Sequence, residues 1–290
     1  MHRRGMKMKE GRYEDSYYAT DGRGSRLSRF LNPLLYGLDK WKADSFRSRT
    51  GIRSGSILDV GAGDGKFLYF LRQRGLEVHG TTASQVSQKA AQKNFGIRLD
   101  FRLHLPPKPR SGPFQAISYW HVFEHLDQPE EHVKRWSRII APQGWVMLEV
   151  PNIEGLGARI CYSSWLGSDE VHHINHMTRG QIETLTKKYG FKVIRAEGFS
   201  PKFSYPFLWS ALLGRIFGTR TYHFSSVLDL LKEPFLTLRR SPLKTLNGMA
   251  AVFYLSPLII LLILSGLISQ QPEILRLYLK QSPDRNAPMP

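Results

Sequence analysis

Residues Ile57 to Leu68 read ILDVGAGDGKFL. An apolar strand runs into glycines at 61, 63 and 65. These lead into KFLYFLRQRG, a helical stretch that Gly75 stops. In that order the elements bring main chain close to a ligand. Glycine permits the tight turn and the close approach, and the first N–H groups of the helix are left to bind. The spacing is not the dinucleotide pattern G-x-G-x-x-G, whose third glycine would fall at 66, where this chain has Lys66.

Outward from this turn the pattern alternates. LEVHGTT predicts a second strand and ASQVSQKAAQKNFG a helix closed by Gly96. IRLDFRLHL predicts a third strand, followed by the proline-rich loop PPKPRSGP. FQAISYW predicts a fourth strand, EEHVKRWSRII a helix, APQG a turn and WVMLEV a fifth strand. TRGQIETLTKKYG predicts a helix and FKVIRAEGF a sixth strand, while residues 26–50 read as helical. Strand–helix alternation at these lengths predicts a parallel sheet with crossover helices.

Asp59-Val-Gly-Ala-Gly-Asp-Gly65 resembles motif I of the class I S-adenosylmethionine-dependent methyltransferases. FQAISYWHVFEHLDQPEEHVKRWSRIIAPQGWVMLEVPN is similar to the strand-4-to-strand-5 region of their small-molecule branch, which includes quinone-biosynthesis and cell-envelope enzymes. The resemblance covers roughly residues 55–198. It implies an α/β Rossmann-like methyltransferase fold: a mostly parallel seven-stranded sheet with helices on both faces. It implies S-adenosyl-L-methionine as cofactor, with Gly61, Gly63 and Gly65 lining its amino-acid part and Asp59 near its ammonium. It places Trp120 and His121 where the cofactor pocket closes. An aromatic face favours a sulfonium as it favours any cation.

The chain departs from the family at the end of the second strand. The acid expected to take the ribose hydroxyls is replaced by Thr82, a weaker partner than a carboxylate. The acid near the adenine is also missing, and Gln115 stands where an Asp often enters the fourth strand. Glu77 is one group that could compensate. These departures keep a catalytically silent scaffold as an alternative to the enzyme.

Methyl transfer to a hydroxyl needs alignment and a base. The candidates are His121, just after the fourth strand, and His172, His173 and His176 in VHHINHMT. His121, Glu124 and His125 would share one face of a helix. Three readings stand: a base among these histidines, hydrogen bonding that ties loops together, or a divalent metal held by both clusters. No resident metal is assigned.

The formal net charge is +17. RNA would explain it, but no recognisable RNA-binding module is present, so nucleic acid is not the expected partner and a basic RNA methyltransferase stands as a lesser alternative. Anionic membrane lipid is the expected surface, because the basic residues flank apolar stretches such as PFLWSALLGRIFG and VLDLLKEPFLTLRR. From Thr245 to Pro272 there is no charged side chain. Pro257 divides this run into pieces of about 11 residues, each about half a bilayer core long as helix. Both flanks are basic, which marks both ends as cytoplasmic. The resemblance implies a final seventh strand, antiparallel beside the sixth, and EILRLYLKQ, which alternates imperfectly, is the candidate for it. The run is therefore expected to be a monotopic or re-entrant insertion that leaves the catalytic domain and returns to it; a single span with a short outside tail, and a buried core or oligomer contact, stand as alternatives. One cysteine and no apolar run behind the basic N-terminus fit the cytoplasmic face of the membrane.

The expected organisation is an N-terminal helical and basic segment (1–54), a methyltransferase core (55–199), a membrane-associated hydrophobic helical insertion (200–272), and a final strand and tail (273–290). The expected acceptor is a small molecule, lipid-linked or amphiphilic. The oligomeric state is left open.

Overall fold

The computed structural model describes residues 26–102, 105, 112–169, 172–217, 257–266, 268 and 271–282. The first strand, β1 (Ser56–Val60), is buried along its whole length. It pairs in parallel with β2 (Glu77–Thr82) and β4 (Phe114–Trp120). β3 (Asp100–Phe101) lies beyond β2 and β5 (Ile140–Pro151) beyond β4, both parallel. β6 (Phe191–Glu197) forms the far edge. β7 (Ile274–Gln281) slots antiparallel between β5 and β6, giving one seven-stranded sheet in the order β3-β2-β1-β4-β5-β7-β6. This is the expected Rossmann-like sheet.

Helices cover both faces. α1 (Arg26–Thr50) and α2 (Lys66–Arg72) pack on one side through Ala43, Phe46, Phe67, Leu68 and Phe70, against Ile57, Ala116, Met147 and Tyr278 of the sheet. α3 (Gln85–Phe95) adds Ala91 to this layer. Ser84 starts α3 by accepting the Ser87 N–H at 3.1 Å, and Gly96 ends it in the left-handed region. α4 (Pro129–Ile139) and α6 (Arg179–Lys188) cover the opposite face through Val133, Trp136 and Ile182. Thr178 and Gln181 form a reciprocal cap at the start of α6.

Two local expectations are corrected. The third strand is two paired residues long rather than nine, because Ile97, Leu99 and Leu105 turn into the cores instead of alternating across a sheet edge. The APQG turn lies within β5. Phe114 pairs with Ile140 but Ala116 pairs with Trp145, so residues 141–144 bulge out of the ladder, with Gln143 at φ 63°.

Between β6 and β7 the chain forms the expected helical insertion. α5 (Leu156–Cys161), which follows β5, packs against its first helix, α7 (Ser204–Phe217). Phe207, Leu208, Trp209 and Ala211 are buried in protein. Over residues 207–211 the apolar side of this helix is therefore covered by the rest of the fold. A further helix, α8, is described over residues 257–266 and buries Ile259 against Leu208 and Trp209. Among the described residues no helix is long and apolar enough to cross a membrane. The segment VLDLLKEPFLTLRR and the first half of the uncharged run lie outside the described residues.

Candidate functional site

The carboxyl ends of β1, β4 and β5 converge with the glycine turn and α1. Gly61 has φ 71° and Gly65 φ 78°. A Cβ at Gly61 would drive into Val122, and one at Gly65 would meet the Ala91 methyl at 3.0 Å. Any larger residue at 61 would thus be strained twice, by its φ and by its neighbour. Thr81 holds the turn: its carbonyl accepts the Ala62 N–H at 2.7 Å and its hydroxyl the Gly61 N–H at 3.3 Å. Gly63 has φ 54°. Asp64 accepts the Lys66 N–H and pairs with its ammonium, an ordinary loop role.

Asp59 is buried at the end of β1, where the Ser118 hydroxyl donates to it at 2.6 Å. Burial pushes its carboxyl up to about 6, against the opposing pull of the Lys42 ammonium and of Ser118. Lys42 comes from α1. Burial lowers it to about 8 although Asp59 and Glu149 attract it. Its Nζ lies 3.9 Å from the centre of the Trp120 ring and 5.0 Å from that of Phe67. Trp120 therefore does present its ring to cations, and these are Lys42 and the Arg276 guanidinium, whose Cζ lies 5.3 Å from the ring centre. The Trp120 Nε1 is buried without a hydrogen bond.

His121 follows β4 with φ 54°, rare for a residue with a side chain. Its N–H donates to the Glu149 carbonyl at 2.8 Å. Its Nε2 lies 3.1 Å from Glu149 Oε1, and its Nδ1 3.3 Å from Glu124 Oε1. Burial would lower the imidazole, but the Glu124 and Glu149 carboxylates beside its two ring nitrogens outweigh it and hold it above its ordinary value. The ring packs on Phe203, centroids 3.9 Å apart. Burial pushes Glu149 up, yet Arg276, His121 and Lys42 prevail and hold it at about 2. Arg276 reaches Glu149 Oε2 from β7 at 2.5–2.6 Å.

Thr82, fully buried at the end of β2, accepts the Ser84 N–H at 3.2 Å and so already serves the β2–α3 turn. Glu77 does not compensate for the missing acid. It starts β2, where it pairs across to Ser56 and bonds Ser56 and His79 at the opposite edge of the sheet. His121, Glu124 and His125 do not share a helical face, since only Phe123–His125 forms a single 3-10 turn. The two histidine clusters nevertheless meet. His125 Nδ1 bonds the His172 carbonyl at 2.8 Å, and its ring lies 4.7 Å from that of His173. His172 pairs through Nδ1 with Asp169, and His173 Nδ1 bonds the Gly167 carbonyl at 2.9 Å. Burial lowers His173. His176 Nε2 is buried without a hydrogen bond.

Sequence reasoning missed Lys42, Glu149 and Arg276. The signal for Glu149 was present: a charge ending the buried run WVMLEV must meet a countercharge. Nothing local to α1 or β7 announced that Lys42 and Arg276 would supply it.

A glycine turn between β1 and a helix, with a buried carboxylate at the strand's end, defines a class I methyltransferase. The Methyltransf_23 profile, a methyltransferase domain, matches residues 37–196, more than half of the chain, and the chain belongs to this family. It is 27% identical over 155 residues to a ubiquinone biosynthesis O-methyltransferase of Chromobacterium violaceum, a match covering 51% of this chain and 65% of that protein. The chain thus spans less than two thirds of that relative's length. Its fold is similar to that of a Galdieria sulphuraria protein described as a candidate sarcosine dimethylglycine methyltransferase (TM-score 0.57, 14% identity, 93% and 98% of the two chains). It is also similar to that of a cyclopropane synthase of Mycobacterium tuberculosis (TM-score 0.51, 17% identity, 83% of each chain). S-adenosylmethionine is the cofactor of this fold and family. The residues present fit it: the turn keeps main chain clear of side chains at Gly61, and Asp59 offers a buried carboxylate beside it.

Proposed function

We propose that the chain transfers a methyl group from S-adenosylmethionine to an oxygen of a lipid-linked or amphiphilic small molecule at a membrane surface. The observation that carries this reading is the meeting of Asp59, the Gly61–Gly65 turn, Trp120 and His121 at one edge of the sheet. S-adenosylmethionine, when bound, supplies a methyl group activated on a sulfonium sulfur. Asp59 would hold the ammonium of its amino-acid part, and the glycines would admit that part to the main chain. Trp120 presents its face to positive charge. Thr82 would stand at the ribose side, where its hydroxyl, which also accepts the Ser84 N–H, is a weaker partner than a carboxylate. His121, oriented by Glu149 through Nε2, would take the proton from the acceptor hydroxyl only in its neutral form, which Glu124 and Glu149 disfavour. Of the four candidate histidines it alone stands beside Trp120; His172, His173 and His176 belong to the neighbouring loop.

The similarity to a ubiquinone biosynthesis O-methyltransferase supports oxygen as the accepting atom. The amphiphilic acceptor is supported by the path outward from His121. Phe203 and Phe207 pack on its ring, α7 packs on α8, and α8 exposes Leu258, Ile260, Leu261 and Leu264. On this reading residues 55–199 with the last strand form the catalytic unit, and 200–272 carries it to the cytoplasmic face of the membrane.

The test incubates the full chain with methyl-labelled S-adenosylmethionine and a total lipid extract. Label should enter the organic phase, and Gly63→Leu should abolish this. Absence of both binding heat and a thermal shift at millimolar S-adenosylmethionine would sink the enzyme reading. Label confined to water-soluble acceptors would sink only the lipid part.

A further inference from the structure

The Glu124 carboxylate is 2% exposed, and neither oxygen has a hydrogen bond. A carboxylate in that position is costly unless a cation compensates it. Three imidazoles surround it. His121 Nδ1 lies 3.3 Å from Oε1, in an ion-pair contact without hydrogen-bond geometry. His125 and His173 lie on another side, and Glu124, His125 and His173 each offer a ligand atom, all within 4.8 Å of one another.

The backbone prepares this trio. His125 Nδ1 bonds the His172 carbonyl, and His173 Nδ1 bonds the Gly167 carbonyl. A carbonyl oxygen only accepts, so each Nδ1 carries a proton, and in the neutral ring Nε2 carries the lone pair. Ligating histidines are held in this way, with the other ring N–H on a carbonyl or carboxylate. The Asn175 N–H donates to the Glu124 carbonyl at 3.0 Å, and its side chain bonds the Leu126 carbonyl. The loop after β5 is thus fastened to the turn after β4 at this point.

We propose that Glu124, His125 and His173 bind one divalent late first-row transition cation. Two imidazoles and a carboxylate suit Zn2+ or Co2+ better than Mg2+ or Ca2+, which prefer all-oxygen sets. Ligand distances near 2.0–2.2 Å place tetrahedral ligand atoms about 3.4 Å apart, a separation that side-chain adjustment from within 4.8 Å can reach. Three protein ligands leave a position for water. The cation would compensate Glu124 and pin the histidine loop against β4. This inference rests on the trio alone and stands or falls separately from the methyl-transfer reading.

The test strips the full-length protein with chelator, titrates it with Co2+ and follows visible absorption, with metal content measured after desalting. One equivalent is expected, with the absorption bands of a four- or five-coordinate ion. His173→Gln and the isosteric Glu124→Gln should each weaken binding at least about tenfold. His79→Gln, at the opposite sheet edge, should not change it. Where a variant fails to fold, the wild type decides: Zn2+ should protect His125 and His173 from diethyl pyrocarbonate, read residue by residue by mass spectrometry. Substoichiometric binding, wild-type affinity in the folded Gln variants, or absence of protection would overturn the proposal.

Discussion

Burial and countercharge oppose each other at Asp59. Its carboxyl sits at about 6, above the ordinary carboxylate range, and Lys42 at about 8, below the ordinary ammonium range. For Asp59 the raised value contributes stability in full below about 4, and this is lost as pH rises through about 6. For Lys42 the lowered value contributes stability above about 10.5, lost as pH falls through about 8. Near pH 7 both groups are ionised and neither gain is available, which marks the pair as functional rather than stabilising. The double variant Lys42→Met/Asp59→Asn should therefore be at least as stable to urea at pH 7 as the wild type, yet lose cofactor binding. A destabilisation of several kcal/mol would show that the pair holds the fold. Because an ammonium needs the ionised carboxylate, wild-type cofactor affinity should fall by up to about tenfold per unit below about pH 6. A calorimetric profile flat from pH 7 to pH 5 would remove Asp59 from the site. At Gly61, with φ 71° and Val122 against any Cβ, Gly61→Ala should cost about 1–3 kcal/mol and weaken the cofactor further.

Strand β7 is where the chain, after leaving for its helical insertion, re-enters the sheet, and Arg276 fixes it there. The guanidinium bonds Glu149 on one neighbouring strand and lies 3.5 Å from Glu197 on the other. Arg276→Met should leave Glu149 buried and uncompensated. The expected loss is about 3–5 kcal/mol, seen as a lower urea midpoint, with the double variant Arg276→Met/Glu149→Gln recovering much of it. Failure of the second change to recover stability would mean that packing, not charge, seats the strand. This element also marks where sequence reading worked. β1, β2, β4 and the helices after them were legible because their apolar periods, the Ser84 cap and Gly96 are local signals. β7 was legible only through the resemblance, and the reason is physical: it is buried on both faces, so Arg276 and Tyr278 on one face lie inside the protein and do not mark a solvent side. The contact between the histidine clusters was not legible. His125 meets His173 across 48 residues, and no spacing rule reaches that far. The site's anionic half, Asp59 and the glycines, was read from one turn. Its cationic half, Lys42 and Arg276, comes from the first and last described elements.

At the scale of the whole molecule, a formal charge of +17 and an apolar face have to be reconciled. α8 buries Ile259 but exposes Leu261 (63%) and Leu264 (50%), and Ile268 just beyond it is 83% exposed. An apolar patch of this kind on an otherwise cationic protein suits an anionic bilayer, where burial of a few aliphatic side chains adds to about 1 kcal/mol per basic residue near the surface. The full chain should therefore co-sediment with vesicles containing phosphatidylserine or phosphatidylglycerol, weakly with neutral ones, and less as salt rises. Leu261→Glu/Leu264→Glu should remove the salt-resistant part of that binding, because it places charge in the apolar contact while leaving Ile259 and its packing on α7 intact. Cofactor binding, measured by calorimetry, should be unchanged, since neither residue approaches the glycine turn. Binding that persists at wild-type strength in this variant, or that is equal on neutral vesicles, would mean the exposed face of α8 meets another protein surface or a second copy of this chain rather than lipid.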